Sequence, residues 1–196
     1  MLRFIAGSAR GRRILSVPQD SGVRPISARI RQSLFDILRP RLPSSRFLDL
    51  YAGTGTVGLE ALSRGAERVV FVERDKRVVE VIERNVARFG WAAKGQVFRA
   101  DVAASLSWIP FRSGVKEFDL VFMGPPYVDP EKKALFLVTP TLANVVACNL
   151  VTPTGWVVAQ HHQKEEPKVP AGWEQFRRER YGDSRVSLFR RLLPAA

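Results

Sequence analysis

The chain has 196 residues, enough for one domain with a small extension, and its 45% apolar content supports a sizeable core. Its net charge of +12 points to a polyanionic partner, and no apolar run reaches the roughly 18 residues a spanning helix needs. The single cysteine, Cys148, excludes an intrachain disulfide and reads as a small core residue, and the two histidines, His161 and His162, read as rim or packing residues without a metal-ligand pattern.

The charge is uneven. Residues 1–46 hold ten arginines against two acids, Asp20 and Asp36, a local balance of +8. Such a stripe favours nucleic acid, with a solubilising surface and an anionic membrane as alternatives. An arginine-rich, acid-poor start is also found in transit peptides, but the glycine and proline pattern here reads as ordered substrate-binding sequence. Residues 2–5 are expected to open a short strand. Residues 7–13, GSARGRR, form a glycine-flanked turn, and Ile14, Leu15 and Val17 form a return strand stopped by Pro18. Ser27 is placed as the N-cap of a helix with an apolar stripe of Ile30, Leu34, Ile37 and Leu38, which Pro40 and Pro43 end. We set the boundary of this basic extension at residues 1–43 and the main domain at 44–196.

The main domain alternates. Strands are expected at 46–51, 68–73, 96–100, 118–123 and 154–160, and helices at 56–64, 76–89, 102–108 and 131–147. That order implies right-handed crossovers around a largely parallel sheet. The tail differs: residues 173–180 and 186–189 read as two strands about a Gly182-Asp183 turn, an antiparallel hairpin foreign to a symmetrical dinucleotide-binding domain.

One stretch organises the domain. The apolar run from Phe47 to Tyr51 ends in Gly53, Gly55 and Gly58, and a helix pattern follows. Glycines let backbone approach a ligand, and a helix N-terminus offers free amides. Glu73 ends the next strand, 20 residues beyond Gly53, where an acid can accept hydrogen bonds from ribose hydroxyls. This pattern alone does not separate a dinucleotide from S-adenosylmethionine, and a turn without ligand remains the alternative. Asp49 precedes the glycines and either orients a cofactor's amino-acid end or holds the turn amides. Asp101 follows the third strand and either accepts from an adenine amine or caps a helix. The fourth strand ends in Gly124-Pro125-Pro126-Tyr127. The prolines make a rigid, amide-poor loop whose carbonyls can accept from an exocyclic amine, and Tyr127 can stack on a base.

The runs FLDLYAGTGTVGLEALSRGA, FVERD and GPPY resemble motifs of class I S-adenosylmethionine-dependent methyltransferases. RFIAGSARGRRI and VRPISARIRQSLFDIL are similar to the N-terminal signature of the RsmD family, bacterial 16S rRNA guanine-N2 methyltransferases, and the similarity runs from Arg3 through the YGDS segment into the final strand. The resemblance implies a Rossmann-like class I methyltransferase fold, with a mostly parallel seven-stranded sheet and an antiparallel C-terminal hairpin. It implies S-adenosylmethionine framed by Asp49, Tyr51, Gly53, Gly55, Glu73 and Asp101. It places the target guanine at the Gly124, Pro125, Pro126 and Tyr127 loop, with Tyr181 and Gly182 on the far rim, and rRNA at Arg10, Arg12, Arg13, Arg24 and Arg29. It also implies direct, metal-free transfer to guanine 966 of 16S rRNA in small-subunit particles, by a cytoplasmic monomer. One departure stands out: the family carries Asp or Asn where this chain has Gly124. The rival readings are a DNA amino-methyltransferase, a non-catalytic rRNA-binding assembly factor and an NAD-dependent oxidoreductase. The last lacks a hydride-transfer acid/base pair, and the lack of a Pro-Cys nucleophile argues against cytosine-C5 chemistry.

Overall fold

Runs rich in β-branched and aromatic residues become strands where both sheet faces are covered. The computed structural model describes residues 2–23 and 25–192, so Arg24, one of the expected RNA contacts, lies outside the described residues. The chain divides into two compact units, Met1–Val102 and Ala103–Ala196.

In the first unit, β1 (Arg46–Leu50), β2 (Arg68–Glu73) and β3 (Gly95–Arg99) form a parallel run with β2 in the middle. The crossovers are α2 (Thr56–Ser63) and α3 (Lys76–Arg88). Asp75 caps α3 by accepting from the Arg77 N–H. Every residue of α2 is buried, because the sheet covers one side and the N-terminal arm another. A Cβ added at Gly58 would sit 2.2 Å from Cε1 of Phe71 on β2, so only glycine permits this approach of helix to strand.

The arm departs from the expected pair of short strands. A single antiparallel bridge, Arg3 to Arg13, forms instead. The reason lies in where its backbone groups go. The Ile5 and Ala6 N–H groups donate to the Glu60 carboxylate of α2 (3.0 and 2.9 Å), and the Leu15 N–H donates to Asn85 Oδ1 of α3 (2.9 Å). Ser8 N–H donates to the Ser63 carbonyl. Helix side chains thus satisfy amides that a second ladder would have used. Phe4 packs edge-on against Phe89 and Trp91. The first helix, α1 (Ala28–Leu38), starts as expected, with the Ser27 hydroxyl accepting from Ile30 N–H, and gives way to a 3-10 turn containing Pro40.

In the second unit, β4 (Phe118–Met123) runs parallel to β5 (Val151–His162). The last two strands, β6 (Trp173–Tyr181) and β7 (Ser184–Arg191), form the expected antiparallel hairpin, and β7 pairs antiparallel with β5. Two helix boundaries differ from expectation. Residues 102–107 are not helical; there Ser105 Oγ bonds Ser107 and competes with helix. The helix α4 (Ile109–Ser113) begins later, with Pro110 tolerated in its first turn. Residues 131–137 are not helical either. The Asp129 carboxylate accepts the Lys133 N–H, Val128 bridges Ala134, and Lys132 and Phe136 take positive φ. This Asx-type turn defers α5 (Val138–Ala147) until buried Glu165 accepts the Val138 N–H at 2.7 Å. Cys148 caps α5 half-buried, not in the core, with Sγ 3.4 Å from Asn144 Oδ1. Among the described residues no helix is long and apolar enough to cross a membrane.

Candidate active site

The C-terminal ends of β1, β2 and β3 gather the first group of residues, as the strand ends of an open parallel sheet do. After β1, Tyr51 takes φ 58, an uncommon conformation for a residue with a side chain, and Gly53 and Gly55 follow at φ 53 and 69. Gly55 is the N-cap of α2. The turn is fixed from two sides. Asp49 Oδ2 accepts the Gly58 N–H at 2.8 Å, and Glu73 Oε2 accepts the Gly53 N–H at 2.9 Å.

Asp49 is buried, and its Oδ1 has no hydrogen-bond partner among the described residues. Burial pushes this carboxyl up to about 8; the Gly58 N–H pulls the other way and the Glu73 charge adds to the rise. An unsatisfied buried carboxylate oxygen beneath a glycine turn is a feature the cationic amino-acid end of a nucleoside cofactor would satisfy, so the residues present fit that group. Glu73 fits more narrowly. Its Oε1 accepts from Arg74 and Asp75 N–H groups at 2.8 and 3.0 Å. With Gly53, three of about four acceptor positions are used. A diol would have to share or displace one of these bonds. Asp101 lies two residues beyond β3, exposed, where the Ala100 N–H donates to the Glu73 carbonyl.

Sequence reasoning missed the cover over this turn. A Cβ on Gly53 would lie 3.0 Å from Cγ1 of Val23, so the extension reaches the glycines. The segment is tied down by Arg77 Nη1 donating to Asp20 Oδ2 at 2.7 Å. No local signal in residues 18–23 announces that contact. Arg10, Arg12, Arg13 and Arg29 are all exposed, Arg12 with its guanidinium 4.6 Å from the Phe89 ring centroid.

The second unit holds the Gly124-Pro125-Pro126-Tyr127 loop at the end of β4. Pro125 is buried, Pro126 exposed and Tyr127 half-buried. The Tyr127 hydroxyl is held at both sides: it accepts from Gln160 Nε2 of β5 (3.0 Å) and lies 3.1 Å from Ser184 Oγ of β7. The Tyr127 ring packs against His162 with centroids 5.8 Å apart. The two hydroxyl bonds fix the position of the phenol. His162, read from the sequence as a rim or packing residue, packs against Tyr127 here, whereas Gln160 and Ser184 were not singled out, and only the β5–β7 register, His162 to Ser184, brings them to Tyr127. Tyr181 and Gly182 lie at the neighbouring hairpin turn, opposite Ser184. His161 is buried, bonded to Ser187 Oγ and the His162 carbonyl, and burial lowers its pKa.

Comparison with known proteins agrees with this arrangement. The family model described as Conserved hypothetical protein 95 matches residues 2–190. Ribosomal RNA small subunit methyltransferase D of Escherichia coli (strain K12) is 30% identical over 197 residues, covering 97% of this chain and 90% of that protein. The YlbH protein of Bacillus subtilis (strain 168) is 31% identical over 191 residues, 97% of this chain and 99% of that one. The structure of yhhF from Escherichia coli is similar with a TM-score of 0.78 and 27% identity, covering 97% of each chain. The fold is therefore the Rossmann-like class I methyltransferase fold, with a largely parallel seven-stranded sheet and an antiparallel C-terminal hairpin.

Proposed function

Because this chain belongs to the RsmD/YlbH family of class I S-adenosylmethionine-dependent methyltransferases, we propose that it methylates the exocyclic N2 of guanine 966 in 16S rRNA. We extend the reading to a cytoplasmic monomer acting on small-subunit particles, with residues 1–43 as the rRNA-binding extension. The coarser activity, S-adenosylmethionine-dependent methylation of ribosomal RNA, follows from the family relation. The observation that carries the substrate is the likeness to the Escherichia coli small subunit methyltransferase D across 97% of this chain.

When bound, S-adenosylmethionine supplies an activated methyl on a sulfonium. In the first unit, Asp49 offers its unpartnered Oδ1 to the cofactor's cationic end, Tyr51, Gly53 and Gly55 shape the turn, and Glu73 and Asp101 offer acceptors to ribose and adenine. In the second unit, Pro125 and Pro126 have no N–H, so their stretch presents carbonyls alone. Carbonyl acceptors on the amine hydrogens orient the N2 lone pair, which is otherwise delocalised into the base. Tyr127 offers its ring to the base, held by Gln160 and Ser184. The proton released from N2 passes to solvent. Arg10, Arg12, Arg13, Arg24 and Arg29 bind rRNA phosphates.

The test incubates the protein with labelled S-adenosylmethionine and unmethylated 30S particles and maps the labelled base by mass spectrometry. Label on N2 of guanine 966 is the expected result. Label on another base or on 23S rRNA would move the site within the same family activity, and transfer only to duplex DNA would replace the rRNA substrate with DNA.

A further inference from the structure

The second unit carries its excess positive charge in one place. Residues 103–172 hold six basic and six acidic side chains, whereas the β6–β7 hairpin, residues 173–191, holds six arginines and three acids. Four of those arginines have partners. Arg177 pairs with Glu179, Arg178 with Glu166 and Arg190 with Glu174. Arg191 donates to the Val151 carbonyl and lies over the Trp173 ring. The third hairpin acid, Asp183, accepts from Gln163 Nε2 at 2.7 Å. Arg180 and Arg185 are left over: among the described residues neither guanidinium has a hydrogen-bonded or ion-paired acid, Glu166 feels the Arg185 charge only at longer range and after that of its partner Arg178, and Arg185 Nη1 is buried without an acceptor.

These two residues face each other. Arg180 and Arg185 are direct register partners across the antiparallel ladder, one step in from the Gly182-Asp183 turn. Directly opposed side chains project from the same sheet face with Cβ atoms about 4.5–5.5 Å apart, and like charges there destabilise the pairing. The two-residue turn, with Gly182 at φ 59, sets that register. Stability alone would place an acid at one of the two positions, as it does for Arg190 and Glu174, which are also register partners. Departures from local electrostatic sense collect at functional sites.

We propose that Arg180 and Arg185 form a phosphate clamp that grips one backbone phosphate of single-stranded RNA. The inference rests on the rRNA reading above and adds a contact in the second unit to the arginines of the arm. A phosphodiester has two non-bridging oxygens, one for each guanidinium fork, and its charge turns a mutual repulsion into a shared attraction. The clamp reads backbone and not base, so it contributes affinity and register without sequence preference.

Arg180→Gln, Arg185→Gln and the double variant would be titrated against a short fluorescent poly(U) strand over a salt series. For single strands the slope of log affinity against log salt falls by about 0.7 for each phosphate contact removed. The clamp holds one phosphate, so the double variant should lose about two- to threefold less affinity than wild type between about 50 and 200 mM salt. Its thermal unfolding midpoint should equal or exceed that of wild type, because the opposed charges are gone. A merely structural role predicts the reverse. The Arg180→Lys/Arg185→Lys variant keeps both charges and should keep the wild-type slope. An unchanged slope in the Gln variants, with wild type binding poly(U), overturns the clamp and leaves the rRNA reading standing. Wild type that binds no RNA, or binds duplex DNA in preference, overturns both.

Discussion

Asp49 is 1% exposed, and its carboxyl stands well above the ordinary 3.8, at about 8, chiefly because burial disfavours the charge. The folded state therefore holds a proton that the unfolded chain gives up. The stability this contributes is complete below 3.8 and is lost as pH rises through about 8. Asp49→Asn keeps an acceptor for the Gly58 N–H and cannot ionise. It should be more stable than wild type by about 1–3 kcal/mol at pH 8, with the difference gone near pH 4; urea denaturation at both values is the check. S-adenosylmethionine affinity, read by calorimetry, should fall in the same variant. Gly124 invites the opposite kind of change. It is absent from the residues with positive φ, and an added Cβ would meet only the Phe122 ring edge, at 3.2 and 3.4 Å. A side chain there requires the ring to yield by a few tenths of an ångström. Under the proposed function, Gly124→Asn adds a side-chain acceptor beside the proposed target amine and should speed single-turnover methylation by roughly tenfold to a hundredfold, the equivalent of about 1–3 kcal/mol. A rate equal to wild type, with folding intact, would mean that the backbone carbonyls suffice.

Helix α2 carries the arm as well as the glycine turn. Glu60, fully buried, accepts from two arm amides and from Arg64 Nε at 2.8 Å. Arg31 of α1, 3% exposed, donates to the Arg3 carbonyl; burial lowers its pKa and the Glu60 charge works against that lowering. Glu60→Gln would leave two cations without their counter-charge at a cost of about 3–5 kcal/mol. Hydrogen exchange should then accelerate first at the Ile5 and Ala6 amides, and RNA affinity should fall with arm order. Uniform acceleration across β1–β3 would mean that Glu60 supports the whole unit and not the arm in particular. The same helix marks the limit of what sequence conveys. The order of strands, the Ser27 cap, the Gly55 turn and the terminal hairpin follow from local periodicity and turn chemistry, and all were legible. The anchoring role of Glu60 was not, although an acid inside the apolar run TVGLEALS was a signal that it meets a partner. The start of α5 was misjudged because EKKALFLV has good helical propensity, while a single Asx turn at Asp129 overrides it. The Tyr127 network was beyond reach, since Gln160 and Ser184 are 33 and 57 residues away and meet it only through strand register.

Across the whole molecule, charge is not spread as a solubilising coat. Of the net +12, residues 1–46 carry +8 and the β6–β7 hairpin holds three more arginines than acids, which leaves the intervening chain almost neutral. A protein that needed only solubility would distribute this excess. Concentrated arginine instead produces binding that weakens steeply with salt, because each neutralised phosphate releases counterions. Replacing Arg10, Arg12 and Arg13 with Ala should therefore lower the salt slope for single-stranded rRNA fragments by about 2, at about 0.7 per contact. The three positions should not behave alike in stability. Arg12 lies over the Phe89 ring at 4.6 Å, so its removal should cost about 0.5–1 kcal/mol of folding stability as well as affinity. Arg10 and Arg13 are exposed and should lower affinity alone. S-adenosylmethionine affinity should be unchanged in all three single variants, because the residues proposed to frame the cofactor lie in the glycine turn and the strand ends. The measurement is a salt series of RNA titrations beside cofactor calorimetry and thermal unfolding for each variant. A loss of RNA affinity with an unaltered salt slope would assign these arginines to arm structure instead of phosphate contact.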